Sequence, residues 1–235
     1  MTKQRHPKNT NLKLVYSNTW SDLPVLQQPS GLVDQYLSHI QQTLIHACAE
    51  YARLSVMRFD LRFPRSFACR DSQAISRFVE SLRAKILADQ QRKQAQGKRI
   101  YPCTLRYVWV KEQADSEACH YHMAIILNRD AYFTLGNYTA AACSADPDMP
   151  VDHSQEPPEN MAGRIVSAWA SALDLTVQQA VGLVHFPENP VYRVDRKAEA
   201  FSEQYHDVFK RLSYFAKAET KQYGDRSRHF GYSLR

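Results

Sequence analysis

Two apolar runs separated by a short polar break constrain this chain most. Leu105 to Lys111 is rich in aromatic and β-branched residues and is closed by Glu112, and after the polar stretch Gln113 to Glu117 a second such run covers Cys119 to Leu127. Runs of this kind on either side of a short turn read as an antiparallel hairpin. A hairpin alone is marginal in water, so further strands or a helical layer must cover it. The remaining sequence offers both. From Ser55 to Phe63, Met57, Phe59, Leu61 and Phe63 alternate with Arg58, Asp60 and Arg62, the period of a half-buried strand, and Pro64 ends it. Gly182 to Phe186 and Val191 to Val194 are two shorter strand candidates.

Helical spacing links these runs. Leu32, Tyr36, Ile40, Leu44 and Cys48 recur every four residues. Asp71 reads as the N-cap of a second helix carrying Ile75, Phe78, Leu82, Ile86 and Leu87, with a polar, basic end over Gln90 to Lys98. Met161, Ile165, Trp169 and Leu173 mark a third, and Lys197 to Gln222 a last one that stops near Gly224. Gly136 to Glu159 has no period and reads as a long loop. The expected fold class is α+β: one antiparallel sheet of about five strands with helices packed on it. Residues 1–30 are polar, with three prolines, and read as a basic, poorly ordered N-terminal arm ahead of a single domain over 31–235, although Leu12, Leu14, Val15 and Trp20 leave room for the arm to pack back.

Composition narrows the function. Thirty Lys and Arg against twenty-four Asp and Glu give a net charge of +6, which suits a polyanionic partner. No apolar run reaches the roughly 18 residues a membrane span needs, and the basic N-terminus has no apolar stretch behind it, so no membrane or secretory signal is expected. Five widely spaced cysteines without a C-x-x-C argue against a zinc ribbon or a disulfide scaffold and for a reducing cytoplasm. Among seven glycines none forms a G-x-x-x-x-G-K-[ST] or G-x-G-x-x-G loop, so ATP or dinucleotide chemistry is not expected.

His120-Tyr121-His122 begins the second strand of the hairpin. Residues two apart on a strand share a face, so both imidazoles project side by side, near enough to hold one cation. The turn brings Glu112 back beside them as the natural third ligand, and three ligands leave positions open for a substrate oxygen. Two exposed, inert histidines are the alternative, since nine histidines produce an H-x-H by chance often enough. In the last helix, Phe201, Tyr205, Val208, Leu212 and Phe215 form an apolar stripe, while Lys210, Tyr214, Lys217 and Lys221 lie on roughly the opposite side. A tyrosine among three lysines is suited to meet a phosphate, and the cations would favour its phenolate; a solvated basic face is the plainer reading. If the stripe packs on the sheet, Tyr214 points away from it unless the helix bends or ends early. Arg58, Asp60 and Arg62 read as a surface ion-pair row, or as contacts to a nucleic-acid backbone if their strand adjoins the histidine strand. His185 either lines the same site or is structural.

The order of these parts, an alternating strand over Met57 to Phe63, His-x-His with an apolar run over His120 to Leu127, and Tyr-x-x-Lys over Tyr214 to Lys217, resembles the HUH endonucleases, the rolling-circle replication initiators and their relaxase and transposase relatives. The stretches YVWVKEQ, HYHMAIILN, GLVHFPENPVYRVDR and RLSYFAKAETKQYGDRSRHFG resemble more closely the prophage family described as inovirus gene-II-protein-like, or YagK/YfjJ C-terminal domain. The resemblance spans about Leu32 to Arg235. It implies an RRM-like sheet and a site-specific single-strand DNA nickase that initiates replication or transfer of a phage-like element. His120, His122 and Glu112 would bind Mg or Mn. Tyr214 would attack a phosphodiester to leave a 5′-phosphotyrosine, with Lys217 assisting. Arg58, Arg62, Lys210 and Lys221 would touch single-stranded or hairpin DNA. The position four residues after Tyr214 is Ala218, so a single catalytic tyrosine is implied. With no ATPase motif, a separate helicase would unwind the DNA. A DNA- or RNA-binding regulator that has lost cleavage is the alternative on the same fold.

Overall fold

The computed structural model describes residues 4–64, 71–112, 119–138, 159–219 and 228–234. The N-terminal stretch holds β1 (Arg5–His6), β2 (Asn9–Val15), β3 (Thr19–Trp20), β4 (Leu23–Pro24) and β5 (Leu32–Val33), followed by α1 (Asp34–Glu50), β6 (Arg53–Arg62) and α2 (Ala74–Ala95). Then come β7 (Arg106–Glu112), β8 (His120–Asn128), α3 (Met161–Leu173), α4 (Val177–Ala180), β9 (Val184–His185) and β10 (Val191–Asp195). The described chain ends with α5 (Phe201–Leu212), a 3₁₀ turn (Ser213–Ala216) and β11 (Phe230–Tyr232). The protein is α+β, as its sequence pattern indicates. Among the described residues the main sheet has six strands in the order β10-β6-β8-β7-β11, with β9 also pairing β6, and every pair is antiparallel.

Alternation along the strands sends two sets of side chains to opposite faces. Met57, Phe59, Leu61, Tyr121, Met123 and Ile125 face α2 and α3, while Val56, Val108, Val110, Ala124 and Ile126 face α1 and α5. Both faces are therefore covered, which is why β8 continues as an unbroken apolar run after His122. On the first face Trp169 is fully buried, meets Phe63, Phe78 and Tyr121 edge-on, and donates its indole N–H to Arg62 O at 2.8 Å. Cys119, one residue ahead of β8, is disulfide-bonded, a bridge that cysteine spacing did not announce.

Several expectations change. The row Arg58, Asp60, Arg62 does not face solvent: Arg58 and Asp60 are buried and only Arg62 is exposed, because α5 and the 3₁₀ turn lie over that face. The last helix ends at Leu212 rather than running to Gln222; the chain tightens into the 3₁₀ turn, and Lys217 then pairs with Leu32 in an isolated bridge. Asp71 does not cap α2, which starts at Ala74. Its carboxylate accepts from Gln73 N and pairs with Arg77. The sheet also gains β11, too short to show a period. Its Gly231 lies under Trp109, where a Cβ would stand 2.4 Å from the indole ring. The turn expected over 113–117, most of the loop expected over 136–159, Lys221 and the helix stop near Gly224 fall outside the described residues.

Residues 4–30, set apart as an arm by composition, carry the first four short strands. Leu14, Leu23 and Val25 are buried there, and Trp20 stacks on Phe209 of α5 at 5.8 Å. Phe209 is thereby buried too, outside the single stripe that helical spacing assigned to α5. Gly31 O accepts from Ala218 N, Ser213 Oγ accepts from Leu26 N, and His6 Nε2 lies 3.2 Å from Ala218 O. The N-terminal stretch thus clasps the chain on both sides of Tyr214.

Trp169→Ala removes the largest fully buried side chain of the first face and should lower unfolding free energy by about 3–5 kcal/mol. Urea denaturation of the full chain measures it, and a loss below about 1 kcal/mol would show that this layer has been misassigned.

Candidate metal and tyrosine site

The register of three strands assembles the site. In β7–β8, Glu112 pairs with His120 and Val110 with His122; in β6–β8, Asp60 pairs with His122 and Arg62 with His120. Glu112, His120 and His122 project from one end of the hairpin, each offering a ligand atom, all within 4.8 Å of one another. The two Nε2 atoms are 3.2 Å apart, and His122 Nε2 is 3.4 Å from Glu112 Oε2. The imidazole rings are nearly perpendicular, at 89°. Donors bound at 2.0–2.2 Å to one ion stand about 3–3.5 Å apart, so this spacing fits a shared cation. Glu112 and His122 are buried, while His120 is half-exposed and keeps the site open.

Asp60 gives this set its direction. Its Oδ1 lies 2.6 Å from His122 Nδ1. Nδ1–H donating to this carboxylate leaves the Nε2 lone pair pointing at the cluster, the arrangement that orients a metal-binding histidine. Burial alone would lower the His122 pKa, but the hydrogen bonds and charges of Asp60 and Glu112 outweigh it and hold the imidazole above its ordinary 6.5. Burial likewise pushes Asp60 up, and His122, with help from Arg58 and His185, brings it net below the usual carboxylate value. His185 pairs with Asp60 across β6–β9; its burial, then the repulsion of Arg62, Arg58 and His122 against the pull of Asp60, leaves its pKa lowered.

Tyr214 closes the site from the opposite layer. The 3₁₀ turn advances each residue by about 120° instead of 100°, which swings Tyr214 off the continuation of the exposed side of α5. Its ring lies 5.8 Å from that of His122, edge-on, and Phe215 stacks beside the same imidazole at 6.2 Å. Lys217 Nζ is 3.4 Å from Tyr214 Oη and 3.9 Å from Glu112 Oε2, so it bridges tyrosine and cluster. Tyr205, by contrast, is half-buried among the apolar residues of α5, where burial and then the Cys48 thiol push its pKa up to about 12.

The structure brings Glu112, His120, His122, Tyr214 and Lys217 together, although the helical stripe alone would have turned Tyr214 away from the sheet. Arg58 is on the same face but buried, and Arg62 is exposed beside His120. Lys210 is exposed on α5, and among the described residues no hydrogen bond or ion pair joins it to the cluster. The role of Asp60 behind His122 was not evident from the sequence, where it reads as part of a surface row. The signal was present: Asp60 shares the alternation of Arg58 and Arg62, and pairing that strand with the histidine strand sets it against His122.

The family model for the YagK/YfjJ C-terminal domain matches residues 16–233. The chain belongs to this family. It is similar to two Escherichia coli (strain K12) proteins, both named as uncharacterized: YagK, 38% identical over 85% of this chain and 92% of its own length, and YfjJ, 34% identical over 86% and 94%. No solved structure matches the chain significantly. Among the described residues no helix is long and apolar enough to cross a membrane.

Protons and a cation compete for His122. Without metal, its stabilising contribution is present below the unfolded value near 6.5 and fades as pH rises through the raised folded value. A cation must displace that proton, so Mn²⁺ affinity should climb with pH across the same window, read as a larger Mn²⁺-induced rise in Tm at pH 8 than at pH 6. A pH-independent shift would exclude His122 as a ligand. Asp60→Asn should weaken Mn²⁺ binding by about 10- to 100-fold in calorimetric titration, since the amide no longer fixes the tautomer. Unchanged affinity would remove Asp60 from this role.

Proposed function

We propose that the chain is a metal-dependent, site-specific single-strand DNA nickase and transesterase of the HUH endonuclease type, with an RRM-like core sheet, acting at the start of replication or transfer of a phage-like mobile element. One observation carries the reading: a Glu–His–His set able to hold a cation, a tyrosine and a lysine converge from different elements.

Glu112, His120 and His122 would hold Mg or Mn, which when bound supplies a Lewis acid for the phosphate oxygens. The protein's own groups do the rest. Tyr214 Oη forms a bond to phosphorus as the bond to the 3′ oxygen breaks, leaving a 5′-phosphotyrosine and a strand whose 3′ oxygen takes up a proton to end as 3′-OH. Lys217 Nζ, close to Oη, stabilises the phenolate as its proton departs and then faces the phosphate. Phe215 and Val110 wall the apolar side, and Asp60 keeps His122 aimed at the cluster. The bond energy held in the phosphotyrosine permits a later rejoining to a 3′-OH. The partner is single-stranded or hairpin DNA, which Arg62 and Lys210 could touch along the exposed rim. Unwinding is left to a separate helicase, since the chain has no nucleotide loop.

End-labelled single-stranded DNA incubated with the protein and Mn²⁺ should give an adduct that survives denaturing electrophoresis and maps to Tyr214 by mass spectrometry. Tyr214→Phe should lose adduct and nick by at least about a thousandfold while changing stability little. Lys217→Ala should slow both without abolishing them. Normal nicking by Tyr214→Phe or in EDTA would sink the proposal; DNA binding without any adduct would favour the non-cleaving regulator.

A further inference from the structure

Two arginines on the tyrosine side of the site each have a buried donor that no group among the described residues satisfies. Arg58, on the central strand β6, is 94% buried, and its Nε has no hydrogen-bond partner. Its backbone is held by a bond from Arg58 N to Pro190 O at 2.7 Å, and its guanidinium lies 6.0 Å from the Phe215 ring centre. Arg211, on α5, has its own Nε buried without a partner. It stands three residues before Tyr214, on the same side of the helical turn. The two guanidiniums are close enough to repel each other, and Tyr192 and Tyr214 also lie within electrostatic reach of Arg58.

The carboxylate that faces Arg58 is committed elsewhere. Asp60 Oδ1 is 2.6 Å from His122 Nδ1 but 4.0 Å from Arg58 Nη2. Buried Arg58 thus meets only the outer edge of a carboxylate that already serves a histidine, and half-buried Arg211 adds a second positive charge within its reach. A buried charge without full pairing is costly, and a second like charge adds to that cost. Ordinary core packing has no use for such a pair, and an arriving anion would neutralise it.

We propose that Arg58 and Arg211 form a phosphate-binding clamp, one jaw on the sheet and one on α5, that takes the non-bridging oxygens of a DNA phosphodiester beside Tyr214. Planar guanidiniums present parallel N–H donors at the spacing of two phosphate oxygens, a match an ammonium lacks. Neither arginine belongs to the Glu–His–His set, so the clamp would orient the phosphate with groups the cation does not use. This rests on the nickase reading for its substrate, but the anion site itself requires only the two arginines.

Inorganic phosphate is the probe, added to the full-length protein in EDTA and followed by thermal unfolding and ³¹P NMR. Phosphate should raise the wild-type Tm in a saturable way, and Arg58→Gln and Arg211→Gln should each weaken its binding by about 10- to 100-fold. Arg58→Lys keeps the charge without the fork and should fall between. Far-UV circular dichroism and a cooperative unfolding transition certify the fold of all three; if Arg58→Gln does not fold, Arg211→Gln and Arg58→Lys decide. A wild type that ignores phosphate, or Gln variants that bind it as the wild type does, overturns the clamp. Phosphate binding lost in the variants with no Tyr214 adduct in the wild type leaves the clamp standing and removes the nickase; a Tyr214 adduct formed at the wild-type rate by both Gln variants does the reverse.

Discussion

The pairing of β6 with β8 sets everything else in this protein. Nine residues of each strand match in register, from Leu54 with Asn128 to Arg62 with His120, and a slip of one residue would send every side chain to the opposite face. In the register adopted, Asp60 stands across from His122, and the 2.6 Å contact between them lies on the face that also carries Val56, Ala124 and Ile126. The same register carries Phe59, Leu61, Tyr121 and Met123 into the layer of α2 and α3, whose large buried side chains make any slip costly. Hydrophobic packing on one face therefore fixes the geometry of titratable groups on the other.

Covering both faces of the sheet has a chemical consequence. The Glu–His–His set is not on an open sheet surface but at the end of a hairpin overlain by α5 and its 3₁₀ turn. Glu112 and His122 are shielded from water, where charges act over longer range, while half-exposed His120 leaves a way in. The cost is a set of buried ionisable groups, Arg58, Asp60, Glu112 and His122, that a purely structural core would replace with apolar residues. Local conflicts of this kind collect at functional sites, because the surrounding packing can hold them in place.

The N-terminal stretch is part of this arrangement. Through Gly31, Leu26 and His6 it grips Ala218, Ser213 and the turn between them, which holds Tyr214 and Lys217 against the sheet. Gly31 adopts φ +78 where the Tyr16 ring presses on it, a position a Cβ would crowd at 3.0 Å. A residue with a side chain there would strain the very backbone that meets Ala218. Composition alone presented this segment as a polar arm because its apolar residues are few, and it is their placement against α5 that gives them weight.

What the sequence determined by itself were the features written in local periods. The hairpin, the strand over Ser55 to Phe63 and three of the helices follow from spacings of two and about four, and the same spacings put His120 beside His122 and bring Glu112 back to them. Joint order of motifs, not any single one, added Tyr214 and Lys217. The tertiary structure decided what no local period encodes. It ended α5 at Leu212, because the clasp of the N-terminal stretch and the Leu32–Lys217 bridge hold the following residues better than further helical turns would. It turned a row of apparent surface charges inward, because α5 and the turn beyond it cover that face. It set Asp60 behind His122 and Arg58 near Arg211, since strand order and layer packing join residues that lie 62 and 153 positions apart in the chain.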